Sequence, residues 1–157
     1  MKAVTLTQAR VILTQAMAAP RSGPERRVAI AVVDAGGHLL ALEREEDAPA
    51  LLAHIAQAKA QTCISYGKPT KTMMALAEEF PIWFDGISRV SMDRMGLPLI
   101  ATKGGVFMRD PAGNTVGAVG VAGEAGEYDE ALAIAGIHVS YTTLTLPTNR
   151  ETPSVVT

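Results

Sequence analysis

Three glycines interrupt an apolar run in the last third of the chain. Gly113-Asn114-Thr115-Val116-Gly117-Ala118-Val119-Gly120-Val121-Ala122-Gly123 leads straight into Glu124-Ala125-Gly126-Glu127-Tyr128-Asp129-Glu130 and a helical pattern. A glycine inside a strand packs no side chain and marks a bulge, a tight bend, or the close approach of a ligand or another backbone. Gly117, Gly120 and Gly123 therefore demand something tight against this strand, and they place bare backbone beside a cluster of carboxylates at a strand-to-helix junction. Upstream, Gly104-Gly105 precedes the apolar Val106-Phe107-Met108 and a turn at Asp110-Pro111-Ala112-Gly113-Asn114. This pattern predicts a hairpin with Gly104-Gly105 at its open end, where a pocket is expected.

The remaining periodicities supply the element order. Thr5 or Thr7 caps a helix with Ala9, Ile12, Leu13, Ala16 and Met17 on one face, ended by Pro20-Arg21-Ser22-Gly23-Pro24. Residues 28–33 are continuously apolar, as in a strand covered on both faces. The turn Asp34-Ala35-Gly36-Gly37 returns the chain into a strand over 39–44. Ala48-Pro49 opens a helix to about Ser65, closed by Gly67-Lys68-Pro69. A further helix is expected over 73–84, broken or kinked by Pro81, and residues 85–103 read as an irregular Met- and Gly-containing loop. A last helix is expected over 127–143, with Glu127, Asp129 and Glu130 in its first turn, where the dipole favours negative charge. Hairpin-joined strands with helices outside them imply α+β with an antiparallel sheet. A dinucleotide fold is excluded, because strand and crossover helix do not alternate and the glycines lie within a strand.

Length and composition narrow the function. The 157 residues suit one domain, expected over residues 1–146, with 147–157 an extended or disordered arm. No apolar run approaches the ~18–20 residues of a membrane span. The N-terminus lacks a secretory pattern, so a cytoplasmic location is expected. The single Cys63 agrees, having no partner for an internal disulfide or a thiolate metal site. A net charge of −2 without a basic run argues against nucleic acid. Only 19% of residues are charged while 48% are hydrophobic, which predicts a homo-oligomer, dimer or higher. The alternative is an alanine-rich monomer with small side chains on its surface.

Five segments together resemble the GlcG/HbpS family, also known as PduO C-terminal-domain-like. They are residues 28–41, the helix pattern Ala58-Lys59-Ala60-x-Thr62, Pro69-Thr70, Gly104-Gly105-Val106, and residues 117–123 with Asp129-Glu130. The resemblance covers nearly the whole chain. It implies a profilin-like fold, a five-stranded antiparallel sheet flanked by helices, in proteins that form dimers and assemble further. Some members bind or degrade haem, one is fused to a corrinoid adenosyltransferase, and GlcG takes its name from a glycolate-utilisation operon. This chain departs from the pattern at Gly104-Gly105-Val106-Phe107, where relatives read Gly-Gly-x-Pro, and at Arg44-Glu45-Glu46-Asp47, a more acidic rim. The segment between Phe84 and Lys103 is also longer and richer in Met than expected.

Candidate site residues follow. Lys59, in the family's Lys-Ala motif, is expected to anchor an anionic group; the alternative is a surface lysine with a snorkelling stem. A pocket is expected from Lys59, Thr70, the Gly104-Gly105 turn with Phe107 beside it, the strand end at Gly123, and Arg44, whose planar fork suits a carboxylate. Helix-start amides beyond Gly123 favour an anion, and valine at 123 is expected to screen them while the protein still folds. His54 is the expected iron ligand if haem binds, although a surface or interface histidine is the commoner case. His38, His54 and His138 show no metal-ligand spacing, so no metal site is expected. Cys63, one turn beyond Lys59, is either an activated nucleophile or a small buried hydrophobe. Trp83, Phe84, Met92 and Met95 are a candidate apolar lid. These residues support a protein that binds haem or a small anionic or aromatic metabolite. An enzyme using Lys59, Asp129 or Glu124 for proton transfer in the same pocket is the alternative, and a non-catalytic scaffold is a third reading.

Overall fold

The computed structural model describes residues 3–144 and 154–157. Its element order is α1 (Leu6–Ala18), β1 (Ala29–Asp34), β2 (Leu39–Arg44), α2 (Leu51–Tyr66), α3 (Thr70–Glu79), α4 (Pro81–Met95), β3 (Gly105–Arg109), β4 (Thr115–Ala122), α5 (Gly126–Leu144) and β5 (Ser154–Val156). The strands form one antiparallel sheet in the order β2-β1-β4-β3-β5. The expected α+β architecture, five antiparallel strands flanked by helices, is the one observed. Among the described residues, no helix is long and apolar enough to cross a membrane.

Side-chain size along the two central strands decides how the layers pack. Period-2 alternation sends Ile30 and Val32 of β1, with Val119 and Val121 of β4, to one face, where they meet Ile12 and Leu13 of α1 and Leu132, Ala133 and Ile137 of α5. The opposite face carries only small residues at its centre, Ala29, Ala31, Ala118 and Ala122, together with Gly120. Helix α2 therefore lies close against the sheet: a Cβ on Gly120 would stand 2.0 Å from the Ala56 carbonyl oxygen. Ala56, Ala60 and Cys63 fill the thin layer that remains.

Local signals set most element ends. Thr5 caps α1 in a reciprocal capping box with Gln8. The Asp34 carboxylate accepts the Gly36 and His38 amides in the β1–β2 turn, where Gly37 has φ +81°. Gly67 and Gly96 close α2 and α4 in the left-handed conformation. Helix α2 begins at Leu51, two residues beyond Pro49. The principal correction lies at residues 70–95. Instead of one kinked helix followed by a loop, two helices meet at Phe80, and Pro81 is the first residue of α4, where its missing N–H costs nothing. Of the expected C-terminal arm, residues 147–153 lie outside the described residues, and Ser154–Val156 pair with β3 as an edge strand.

Candidate functional site

Lys59 extends from the sheet-facing side of α2 into the space left by Gly104, Gly105 and the end of β4. Its Nζ donates to the Val121 carbonyl at 2.8 Å and to Asp129 Oδ2 at 3.1 Å. The pair is sealed, with Lys59 3% and Asp129 2% exposed. Asp129 Oδ1 accepts the Glu124 amide at 2.9 Å, and the Gly123 amide also favours this carboxylate. Burial pushes Lys59 below the ordinary lysine range and Asp129 above the ordinary carboxylate range, and the attraction between them opposes both shifts. Thr70 completes the cluster: its Oγ1 accepts the Gly105 amide at 2.8 Å.

The structure thus brings together Lys59, Thr70, Gly104, Gly105, Gly123 and Asp129, and it fills the space among them. A Cβ on Gly104 would stand 2.6 Å from Val121 O and 2.8 Å from Lys59 Nζ; one on Gly105 would stand 2.7 Å from Lys59 O. At Gly123, φ is +139° and a Cβ would lie 2.3 Å from the Arg27 carbonyl oxygen. These glycines admit the protein's own backbone and side chains, so the open pocket expected at the hairpin mouth is closed by the chain itself. Nearby, an open cleft of about 290 Å³ is lined by Met74, Thr102, Lys103, Ala125, Gly126 and Glu127 at the start of α5.

The other expected site residues lie apart. Phe107 is buried in the core with Val33, Ala60, Cys63 and Ala118, and the Arg109 guanidinium sits 4.9 Å from its ring centroid. Arg44 ends the edge strand β2 and donates to the Glu45 and Ala48 carbonyls at 3.2 and 2.6 Å, bracing the following loop. It also borders a polar cleft with Met17, Arg27, Glu43, Glu45 and Glu46. His54 is exposed on α2. Glu124 is buried, and neither carboxylate oxygen has a hydrogen-bond partner. It borders a cavity of about 10 Å³, room for one water, between the loop after α1 and the first turns of α5. Cys63 is buried and its pKa is pushed up to about 12, so it supplies no thiolate at neutral pH.

A wide apolar recess was not expected in this form. Tyr66 at the end of α2, Leu76 of α3, Phe80 between the helices and Trp83 of α4 line an open cleft of about 350 Å³. Tyr66 and Trp83 meet edge to face, ring centroids 5.9 Å apart. Trp83 was recognisable in the sequence as part of an apolar lid; Tyr66, Leu76 and Phe80 were missed because each lies on or beside a different helix and nothing local shows that these helices converge. The signal available was the pair of aromatics flanking Pro81 at helix-start position. Among the described residues, no group of three or more His, Cys, Asp and Glu is placed to hold a metal ion.

Comparison with known proteins places this geometry among relatives. Residues 4–138 match the family model described as haem degrading protein HbpS-like. Protein GlcG of Escherichia coli is 32% identical over 120 residues, 71% of this chain and 82% of the relative. The crystal structure of a double mutant of Streptomyces reticuli HbpS superimposes with a TM-score of 0.69 at 27% identity, covering 88% of each chain. That of PduOC in complex with haem shares the fold, with a TM-score of 0.66 at 20% identity, covering 94% of this chain and 99% of the other.

Proposed function

This chain belongs to the HbpS-like family, and from that membership we propose that it is a cytoplasmic homo-oligomer that binds haem, or a comparably flat anionic aromatic molecule, in the cleft between α2, α3 and α4. The observation that carries the reading is the lining of that cleft: three aromatic rings and one leucine, half open to solvent, on a surface where an isolated soluble domain would bury them. The residues fit the group. Phe80 and Trp83 would hold a flat aromatic face, the Tyr66 phenol would supply an oxygen donor to the iron, and exposed Lys68, two residues beyond Tyr66, would supply a cation for a carboxylate side arm. His54 lies about 18 Å from Tyr66 along α2 and does not reach this cleft, so an iron bound through His54 would sit elsewhere on the surface. When bound, haem iron supplies ligand-binding and redox chemistry that this chain's own side chains lack. Binding is favoured over proton transfer because Lys59 and Asp129 are sealed from any substrate and spend their polar atoms on each other and on backbone.

Titration of the purified protein with hemin tests this. Trp83 is the only tryptophan and lies in the cleft, so its fluorescence should fall as a Soret band grows, both saturating at the same ratio of hemin to chain. Removing one ring, Phe80→Ala or Trp83→Ala, should weaken binding roughly two- to tenfold, the size of one aromatic contact. A changed band in Tyr66→Phe identifies the phenol as iron ligand, whereas a changed band in His54→Ala with Tyr66→Phe silent would place the haem outside this cleft. If hemin at micromolar concentration neither shifts its band nor quenches Trp83 in the wild-type chain, the reading is wrong.

A further inference from the structure

The outward face of α4 carries a pattern that nothing among the described residues explains. Helix α4 packs on α3 and turns Ser91 inward, where the Ser91 hydroxyl donates to the Leu97 carbonyl. On its other side, Ile82, Gly86 and Val90 follow one another at intervals of four residues, within roughly 80° around the helix. Ile82 is 89% and Val90 61% exposed. Gly86 lies between them in mid-helix, with nothing within 4 Å of where its Cβ would be. Glycine at such a position weakens a helix and normally gains something by close approach. Among the described residues, nothing approaches it.

The charges beside this stripe indicate what does. Asp85 and Arg89 pair at 3.0 Å beside this stripe. A second α4 laid antiparallel about Gly86 sets Ile82 of one copy opposite Val90 of the other and Asp85 of each copy within one turn of the other's Arg89, so that the apolar stripe and this ion pair are self-complementary about a two-fold axis. Without a side chain at 86, the two helices can approach at the short end of the ~8–10 Å range of interaxial distances. We infer that this face is where a second copy of the chain docks, the two α4 helices crossing antiparallel at Gly86 with Ile82 and Val90 packed across the crossing. The inference rests on the homo-oligomer reading above and assigns it a surface.

Sedimentation equilibrium of the full chain and its variants tests the assignment. The wild-type protein should sediment as a dimer or an even multiple. Ile82→Glu buries a charge in the contact, and Gly86→Leu fills the crossing while favouring the helix of the monomer; each should raise the dissociation constant by about tenfold or more. Asp85→Arg alone should also weaken the dimer, and the double reversal Asp85→Arg with Arg89→Asp should recover it, a rescue that general loss of helix would not give. Circular dichroism checks that each exposed-site variant retains its helix content. A wild-type chain that is monomeric at micromolar concentration overturns both the oligomer and its surface. A wild-type oligomer whose dissociation constant is unchanged by Ile82→Glu, Gly86→Leu and Asp85→Arg overturns the α4 surface alone, placing the interface elsewhere.

Discussion

Replacing Lys59 with methionine should destabilise the protein severely, and the reason lies in what is left behind. The substitution keeps the length and apolar character of the stem but removes the ammonium that faces Asp129 at 3.1 Å and Val121 O at 2.8 Å. Breaking a buried pair from one side leaves an uncompensated charge and costs about 3–5 kcal/mol. The lower end applies to Lys59→Met, because Asp129 keeps its backbone donors from Gly123 and Glu124 at the start of α5. For a chain of this length, about 3–5 kcal/mol corresponds to a fall in Tm of about 6–20 °C. The double variant Lys59→Met with Asp129→Leu removes both charges and should be less destabilised than the sum of the singles, with a coupling of about 2 kcal/mol or more. Urea unfolding followed by Trp83 fluorescence and circular dichroism measures all four corners of the cycle. The deficit should also depend on pH. Because burial raises the Asp129 pKa above its ordinary 3.8, the folded state holds that proton more tightly than the unfolded chain, and stability falls as pH rises through the folded value. Losing Lys59 removes the opposing attraction, so the deficit of Lys59→Met should be greatest at neutral pH and shrink on acidification, where a protonated Asp129 needs no cation. A Lys59→Met protein within 1 kcal/mol of wild type, or single effects that simply add in the double variant, would refute the reasoning and reopen Lys59 as a solvent-accessible anchor.

Two further outcomes follow from the same junction. Gly123→Val was expected from the sequence to fold and lose its ligand; the positive φ and the 2.3 Å approach to Arg27 O now predict that it fails to fold, so a soluble variant with wild-type circular dichroism would show that the backbone there is free to move. Glu124→Leu should raise stability by about 1–3 kcal/mol, since both carboxylate oxygens are buried without donors; a lower Tm would mean that Glu124 has a compensating partner in the assembled protein.

Much of the fold was legible because its cues are local. The Thr5–Gln8 box, the Asp34–Gly37 turn and the Asp110–Asn114 turn each act within a few residues, and the apolar runs of the strands between them needed no knowledge of neighbours. The break at Pro81 was legible, but not the helix it starts: a proline inside a helical pattern ends a helix or begins a new one, and the choice rests on Phe80, whose φ of −130° and ψ of 66° end α3.

The candidate site divides differently. Residue by residue, the chain marked Lys59, Thr70, Gly104, Gly105, Gly123 and Asp129 as special, because glycines in strands and carboxylates at a helix start have few structural uses. That these six meet in one cluster is a tertiary fact: Lys59 and Asp129 are separated by 70 positions and are joined only because α2 and α5 converge on the end of β4. Whether the bare backbone serves a ligand or the protein itself was equally beyond the sequence, since a glycine records that something comes close and not what it is. By itself, the sequence determined the two strand hairpins, the helices α1, α2 and α5, and the glycines of β4 that demand a close neighbour, because each depends on period or on the chemistry of one side chain; it did not give α4 or β5. Only the tertiary structure decided that α2 occupies the glycine face, that the Lys59–Asp129 pair is sealed, and that the aromatic rings gather between α2, α3 and α4, because each of these is a distance between segments that no local pattern encodes.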